Sequence, residues 1–318
     1  MPVIRRNGGI AGYISPSSNV LFVAGQSNAA AGNFDTNGQS LAANLGSGAH
    51  QGWLYPLTAG VDTGLKIFVP FQETVNYSVG INTPARLTRS SDGYWDFLYN
   101  GWNNLNCTYQ APPAFPTTSS SHYQNWAAEA QFSWMYRQEH PKSPLYILRY
   151  VISGTQLGTN AGGLDWNSGS SGKLFDGMVD IWSKASAKLT NPRVLAFLWI
   201  QGENDAGNST LANAYQTNLG NFISAVRSRI DSNRQTKFII ARLNNAKGQW
   251  SQGATVQAAQ DAYASAAFCK VVNSDSYPLQ GDNVHYTEVG QTCSVGTQGV
   301  MPASGGLGSD MYNAWKAL

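Results

Sequence analysis

Ser27 is the residue whose surroundings best suit a catalytic nucleophile. It lies in the segment GQSN (25–28), which follows the apolar run 20–24 and precedes several small residues. A serine hydroxyl attacks a carbonyl only when a base takes its proton and the backbone leaves it accessible. A sharp turn between a strand and a helix provides that access. Ser is also a preferred first residue of helices, so this segment taken alone fits a helix N-cap equally well.

The segment DNVH (282–285) contains a candidate base. An Asp three residues before a His can accept a hydrogen bond from Nδ1 of the imidazole, which leaves Nε2 to face a serine. Asp282 and His285 have this spacing, and the three other histidines are expected to be surface residues or locally hydrogen bonded. The DxxH pattern alone is more typical of a turn than of a catalytic pair.

Two further segments contain groups that could stabilise an oxyanion, as acyl transfer requires. In SGT (153–155), which follows a predicted strand, Gly154 can offer a backbone N–H. In WIQGEND (199–205), which follows the next predicted strand, Gln201 can offer a side-chain amide. Taken alone, Gly154 also fits a turn glycine. Gln201, with Glu203 and Asp205, also fits a polar cluster that caps a helix.

Alternating apolar runs and amphipathic stretches position these four segments. The pattern predicts strands at 20–24, 145–152, 194–200, 237–243 and 270–273, and helices at 122–140, 173–189, 211–230 and 254–268. It therefore predicts an α/β fold with a doubly wound, mostly parallel sheet of about five strands and helices on both faces. Ligands in such sheets bind beyond the carboxyl ends of the strands, which is where all four segments fall.

We expect a single domain over residues 20–318, preceded by an irregular leader at 1–19. A long insertion of loops and short strands is expected at about 33–121, where periodicity is poor. The insertion contains many aromatic residues, including Trp53, Trp95 and Trp102. They could form a small core of the insertion's own or a glycan-binding wall beside the site, and the sequence leaves both interpretations open.

The composition excludes some classes of partner. Charged residues are only 12% of the chain, the formal net charge is +2 and no run of Lys or Arg occurs, so nucleic-acid binding is not expected. No apolar run approaches the roughly 18 residues of a membrane span, and residues 1–19 lack the apolar core of a secretory signal. Ten Trp and many amide and hydroxyl side chains favour neutral, hydroxyl-rich ligands such as glycans.

Three cysteines, Cys107, Cys269 and Cys293, lie far apart in the sequence and form no CxxC pair. They predict neither a zinc site nor a disulfide framework, and they fit small buried apolar residues best. One disulfide among them is left open as an alternative. No metal or cofactor is expected.

The four segments GQSN, SGT, WIQGENDA and DNVH, in this order, resemble those of the SGNH-type hydrolases. The resemblance is to the branch that contains sialate O-acetylesterases and the acetylxylan esterases of carbohydrate esterase family six. It covers roughly residues 20–290. It implies a three-layer α/β/α sandwich and a serine esterase that removes O-acetyl groups from sugars. One departure is Ala29, where the family commonly has a bulky residue such as Met, and this widens the expected acyl side of the pocket.

The resemblance implies a role for each candidate residue. Ser27 is the nucleophile, and its own N–H joins Gly154 and Gln201 in the oxyanion hole. His285 is the base and Asp282 its orienting acid, although Glu203 lies near the histidine in this branch and could share or replace that role. We also expect weaker contributions to substrate binding from four side chains, those of Gln26, Asn28, Thr155 and Asp205.

The expected partner is an O-acetylated glycan, with no nucleic acid and no membrane. Two alternatives stay open: a glycan-binding module with weak or no activity, such as a phage tail protein or surface adhesin, and a lipid or thioester acyl hydrolase. An extracellular or virion-associated location is expected. The sequence does not identify the glycan, the acetylated position or the oligomeric state, including whether a homo-oligomer forms.

Overall fold

A central sheet organises the parts of the chain that the structure describes. The computed structural model describes residues 5–6, 9–10, 17–30, 62–68, 103–105, 128–143, 145–151, 154–160, 165–169, 173–187, 189–231, 235–287 and 304–318. Two short strands, β1 (Arg5–Arg6) and β2 (Gly9–Ile10), pair antiparallel apart from this sheet. The sheet consists of β3 (Ser18–Gly25), β4 (Asp62–Phe68), β5 (Asn103–Leu105), β6 (Leu145–Val151), β7 (Pro192–Ile200), β8 (Phe238–Ala241) and β9 (Cys269–Val272).

The seven strands lie in the order β5-β4-β6-β3-β7-β8-β9. All neighbours are parallel except β5, which pairs antiparallel with β4 at one edge. The strand order runs outward in both directions from β3, which is the doubly wound arrangement. The predicted α/β class is confirmed. All five predicted strands are present, and β4 and β5, from the segment predicted as an insertion, extend the same sheet.

The helices form a layer on each face of the sheet. They are α1 (Ala128–Glu139), α2 (Lys173–Ser186), α3 (Glu203–Ala206), α4 (Ser209–Arg229), α5 (Gly253–Asp261) and α6 (Leu307–Lys316), with a 3-10 turn at Ser27–Ala30. The helix predicted to reach Phe268 ends at Asp261, and turns follow it. Phe268, immediately before β9, has a φ of 56°, which is outside the helical region, so the predicted helix could not have continued through this residue.

Two cores hold the layers together. On β3, Leu21 and Val23 face the core beneath α1 and α6, whereas Val20, Phe22 and Ala24 face the core beneath α2, α4 and α5. Successive side chains of a strand point to opposite faces, so a strand covered on both sides needs apolar residues at consecutive positions. The sequence did not predict α6. Its apolar stripe has only four large members, Leu307, Met311, Tyr312 and Trp315.

The carboxyl ends of three neighbouring strands lie at one level. Gly25 is in register with Val151 of β6 on one side and with Ile200 of β7 on the other. The next residue, Gln26, donates its backbone N–H to the Ile200 carbonyl at 3.0 Å. The segments that follow these strands therefore begin side by side. None of the described helices is long and apolar enough to cross a membrane.

Gly25→Ala is expected to destabilise the fold strongly. Gly25 has a φ of 141°, and a Cβ there would overlap the carbonyl oxygen of Ile200. The free energy of unfolding should fall by at least about 3 kcal/mol, from backbone strain and steric overlap together. Gly248→Ala is the matched control, since its φ of 64° is also left-handed but a Cβ would meet nothing within 4 Å. It should cost about 1–2 kcal/mol. Equal losses in chemical denaturation would contradict this account of Gly25.

Candidate active site

Ser27 begins the 3-10 turn that follows β3, at the carboxyl edge of the sheet. Its side chain is buried against the turn, with the residue 6% exposed. Neither the hydroxyl nor the backbone N–H of Ser27 is hydrogen bonded to another described residue. An oxyanion donor needs a free N–H, so the backbone N–H of Ser27 suits its predicted role, and the hydroxyl is not engaged by a described group other than a base.

Asp282 and His285 form the pair that their spacing predicts. His285 Nδ1 lies 2.6 Å from Asp282 Oδ2. The other carboxylate oxygen, Oδ1, accepts the backbone N–H groups of Val284 at 2.9 Å and His285 at 3.0 Å. Asn283, at the tip of this loop, has a φ of 56°, which lets the chain turn back within the short distance between the two side chains.

The hydrogen bonds around Asp282 keep its carboxylate ionised. Partial burial acts to raise the pKa of Asp282, but the hydrogen bonds from the His285 ring and from the two backbone N–H groups outweigh it and leave this pKa below its usual value. An ionised Asp282 accepts a hydrogen bond from the Nδ1–H of His285, which leaves Nε2 as the proton-accepting nitrogen. Nε2 makes no hydrogen bond within the described ranges, and none connects it to Ser27 in this structure.

Glu203, the alternative acid, lies in a different environment. It is the first residue of α3, it is 5% exposed, and its Oε1 accepts a hydrogen bond from Asn28 Nδ2 at 2.6 Å. Its Oε2 is buried without a partner among the described residues. Burial raises the pKa of Glu203, and the hydrogen bond from Asn28 and the nearby His285 offset this only in part. Asp282, and not Glu203, is hydrogen bonded to the histidine ring.

Gly154 lies three residues beyond the end of β6, the strand that pairs with β3, which precedes Ser27. It is exposed, and its φ of 69° is in the left-handed region that glycine adopts most readily. In the described part of the chain its N–H has no hydrogen-bond partner. The geometry is consistent with a second oxyanion donor.

The side-chain amide of Gln201 is already engaged in the protein. Its Nε2 lies 2.6 Å from Asp205 Oδ2, 3.1 Å from the Thr155 carbonyl and 3.2 Å from Gln26 Oε1. An amide nitrogen has two hydrogens, so these three acceptors already exceed its capacity. The flipped orientation would direct Oε1 at the same acceptors. Gln201 would have to give up one of them to bind an oxyanion, and its role as third donor stays a prediction.

The four side chains predicted to contact substrate are hydrogen bonded to other residues of the chain. Asp205, which is fully buried, accepts the backbone N–H groups of Leu157 at 2.9 Å and Gly158 at 3.0 Å, and so anchors the segment that follows Gly154. Thr155 Oγ1 accepts the indole N–H of Trp166 at 2.9 Å. Asn28 is 1% exposed and bonds the loop of His285. Gln26, 3% exposed, contributes its Oε1 to Gln201.

Burial also raises the pKa of Asp205, against the opposing hydrogen bonds from Leu157, Gln201 and Gly158. Two carboxyl groups with raised pKa values, those of Glu203 and Asp205, thus lie on the same turn of α3. The strongly hydrogen-bonded position of Asp205 identifies it as a structural support for the loop that carries Gly154.

Tyr215 and Gln260 belong to the site's support, and the sequence did not predict them. The hydroxyl of Tyr215 lies 2.9 Å from both the carbonyl and the side-chain oxygen of Gln201. Gln260 Nε2 donates to the Gln201 carbonyl at 3.0 Å. Both side chains come from the buried faces of helices, α4 and α5, where no local motif distinguishes them from ordinary core residues.

Some predictions fall outside the described residues. They concern Ser153, Cys107, Cys293 and the aromatic residues predicted to line or fill the insertion. Within the insertion, only the backbone of β4 and β5 is described. Cys269 is described and is a buried free thiol, as expected for a small apolar residue. Among the described residues, no three side chains of His, Cys, Asp or Glu converge in a way that could hold a metal ion.

One family profile matches a part of the chain that contains most of the candidate site residues. The profile of the family described as carbohydrate esterase, sialic acid-specific acetylesterase, matches residues 102–298, which is more than half of the chain. That range contains Gly154, Gln201, Asp282 and His285 but begins after Ser27. No functionally curated protein matches the sequence.

Solved structures show the same fold at low sequence identity. A protein from Arabidopsis thaliana is similar with a TM-score of 0.58 and 16% identity, over 95% of this chain and 99% of that one. A carbohydrate acetylesterase from Xanthomonas citri is similar with a TM-score of 0.51 and 16% identity, over 84% of this chain and 52% of that one. These two similarities concern the fold.

Glu203→Gln should become more stabilising, relative to the wild type, as pH rises. In the unfolded chain Glu203 ionises near 4.5, the ordinary pKa of a glutamate side chain, whereas burial raises its pKa in the folded protein. The folded wild type therefore loses relative stability from about pH 4.5 up to the raised pKa, and an amide cannot ionise. Thermal melts of both proteins between about pH 4 and 8 measure the difference in Tm.

Glu139→Gln is the control for this experiment. Glu139 is exposed, and its pKa is lowered chiefly by the hydrogen bond from Lys316. The sign is opposite, because a lowered pKa stabilises the folded wild type above the ordinary pKa. The difference in Tm between Glu139→Gln and wild type should not rise with pH. A difference for Glu203→Gln that stays constant over the range would show that Glu203 ionises normally in the folded protein.

Proposed function

The chain belongs to the carbohydrate esterase family of sialic acid-specific acetylesterases, and on that premise we propose that Ser27, His285 and Asp282 form its catalytic triad. The chain is a carboxylic ester hydrolase that deacetylates carbohydrate. The observation that best supports the triad is the 2.6 Å contact between His285 Nδ1 and Asp282 Oδ2, in a loop that is hydrogen bonded to the residue after Ser27.

In the first half of the reaction, His285 Nε2 takes the proton of Ser27 while Oγ attacks the acetyl carbonyl carbon. The tetrahedral intermediate then breaks its bond to the sugar oxygen, which leaves with the proton from His285. An acetyl group remains on Ser27. Covalent catalysis of this type divides one difficult displacement into two easier ones.

In the second half, His285 takes a proton from a water molecule that attacks the acetyl-enzyme. The second tetrahedral intermediate breaks its bond to Ser27 Oγ, which recovers its proton, and acetate is released. Asp282 stays ionised throughout. It holds the ring in the tautomer with a proton on Nδ1 and stabilises the imidazolium that forms in each half.

The oxyanion is stabilised, in this proposal, by the free backbone N–H groups of Ser27 and Gly154. They follow neighbouring strands that end at one level, so they can converge on one oxygen. Preorganised donors of this kind are usually the largest electrostatic contribution to acyl transfer. The side chain of Gln201 bonds the Thr155 carbonyl and the side chain of Gln26. It thereby holds the segments of Gly154 and Ser27 in position relative to each other.

The proposed substrate is an acetyl ester on an oligosaccharide or polysaccharide. The family match supports a carbohydrate ester, and the low charge and high aromatic content of the chain suit a neutral, hydroxyl-rich ligand. Ala29 lies within the turn that begins at Ser27 and is fully buried in the core beneath α1 and α6, and the wider acyl side of the pocket stays a prediction.

Ser27→Ala and Asp282→Asn should remove most of the activity without loss of the fold. Ser27→Ala removes the nucleophile, and Asp282→Asn favours the wrong imidazole tautomer, so each should lower kcat for p-nitrophenyl acetate by about 10⁴-fold. The wild-type rate should also fall between about pH 8 and pH 5, because a protonated imidazole cannot act as base.

Asp261→Asn is the control, since Asp261 is a surface carboxylate paired with Arg242 at 3.0 Å and far from His285 in the sequence. It should keep the wild-type kcat. Undiminished turnover by Ser27→Ala would rule out Ser27 as nucleophile. A near-normal rate for Asp282→Asn, with Glu203→Gln inactive, would assign the acid role to Glu203 instead.

Acetyl esters should be better substrates than long acyl esters. With p-nitrophenol as the common leaving group, kcat/KM for the acetyl ester should exceed that for the octanoyl ester by at least about tenfold, since a carbohydrate acetylesterase gains nothing from a longer acyl chain. Acetate release from a panel of acetylated glycans then identifies the sugar. Faster hydrolysis of the octanoyl ester would favour a lipid or thioester hydrolase, and retention on glycans without acetate release would favour a binding module.

A further inference from the structure

We propose that Asn28 is a positioning residue that sets the placement of His285 relative to Ser27. This inference rests on the proposed roles of those two residues. Asn28 follows the nucleophile directly in the sequence, and its side-chain amide bonds the loop of the base on both sides of His285. It therefore joins two parts of the triad that are more than 250 residues apart in the chain.

The amide of Asn28 makes three hydrogen bonds to described residues across the site. Its Nδ2 donates to Glu203 Oε1 at 2.6 Å and to the Val284 carbonyl at 3.0 Å. Its Oδ1 accepts the backbone N–H of Tyr286 at 3.0 Å. Two donor hydrogens meet two acceptors and the oxygen meets a donor, so only one orientation of the amide fits.

The side chain of Asn28 bonds Val284 and Tyr286 in the same way as a peptide group of a neighbouring strand would. A peptide group on an adjacent strand would likewise accept one N–H and donate to one carbonyl of an extended segment. The other side of this segment is held by its own hairpin, in which Gln280 donates its N–H to the His285 carbonyl at 2.7 Å. His285 is thus fixed between the hairpin and Asn28.

Glu203 fixes Asn28 in turn. It accepts from Nδ2 at the start of α3, directly beyond the end of β7, and it is almost fully buried. Asn28 and Glu203 together form a clamp, which connects the ends of β3 and β7 to the loop that carries His285. A misplacement of about 1 Å at a reacting group can cost about 100-fold in rate, so a clamp at this position has a direct effect on catalysis.

Asn19 offers a matched control at the opposite end of the same strand. It is also buried, at 5% exposure, and its amide also makes three hydrogen bonds, to Tyr136 at 2.9 Å, Ser143 at 3.0 Å and Arg193 at 2.6 Å. It precedes Gly25 by six residues, or roughly 20 Å of extended chain. Loss of either amide should affect stability similarly, but only Asn28 contacts the catalytic loop.

The test compares Asn28→Ala with Asn19→Ala in the full chain, by steady-state hydrolysis of p-nitrophenyl acetate and by thermal melts. Asn28→Ala should lower kcat about 100-fold with KM changed less than about threefold. Asn19→Ala should keep the wild-type kcat, although its Tm falls by a comparable amount. A wild-type kcat for Asn28→Ala, or an equal loss of kcat in Asn19→Ala, would overturn the proposal.

A second pair of variants decides the matter if Asn28→Ala does not fold. Glu203→Gln keeps an acceptor for Nδ2, whereas Glu203→Ala removes it, so kcat should be at least about tenfold higher for Glu203→Gln. Equal kcat values for the two would overturn the proposal. Ser27→Ala, measured in parallel, separates the two hypotheses: full activity there would refute the proposed function itself, whereas an inactive Ser27→Ala with a fully active Asn28→Ala would refute only the clamp.

Discussion

The parallel pairing of β3 with β6 on one side and β7 on the other is the constraint on which the site depends. Gly25 lies level with Val151 and Ile200, so three segments leave the sheet at the same edge. Their first turns carry Ser27, Gly154 and Gln201. The backbone of Gly25 approaches Ile200 so closely that a side chain would not fit, which brings the turn of Ser27 against the end of β7. A shift of either strand pair would separate these groups.

Beneath that edge, buried polar groups hold the segments in place. The carboxyl groups of the site differ in their environments and therefore in their pKa values. Glu203 and Asp205 are buried and have raised pKa values, whereas the partly exposed Asp282 has a lowered pKa because it accepts several hydrogen bonds. Carboxyl groups placed in such different surroundings can carry different roles within one site. The ionised Asp282 suits an imidazole partner, and the buried Glu203 suits a support for Asn28, whose amide it accepts.

The structure also connects the segment of Ser27, which lies outside the family match, to residues inside the matched range. The match covers residues 102–298, and the segment GQSN (25–28) precedes it. In the folded protein Ser27 stands on the strand at the centre of the sheet, and the hydrogen bonds of Asn28 join its turn to Val284 and Tyr286 inside the matched range. The similarity to structures with 16% identity shows that the fold persists where most of the sequence has changed.

The sequence by itself determined the α/β class, five of the strands and Asp282 as a candidate partner of His285, because each of these depends on short-range patterns. Apolar runs predict buried strands, and two side chains three residues apart can meet within one turn. Only the tertiary structure decided that Asp282 rather than Glu203 bonds His285, that Gln201 and Asp205 support neighbouring loops, and that Asn28 joins the turn of Ser27 to the loop of His285. The contacts of Gln201, Asp205 and Asn28 with other loops connect residues between 46 and 258 positions apart. Their partners are set by the order of strands in the sheet, which no local pattern encodes.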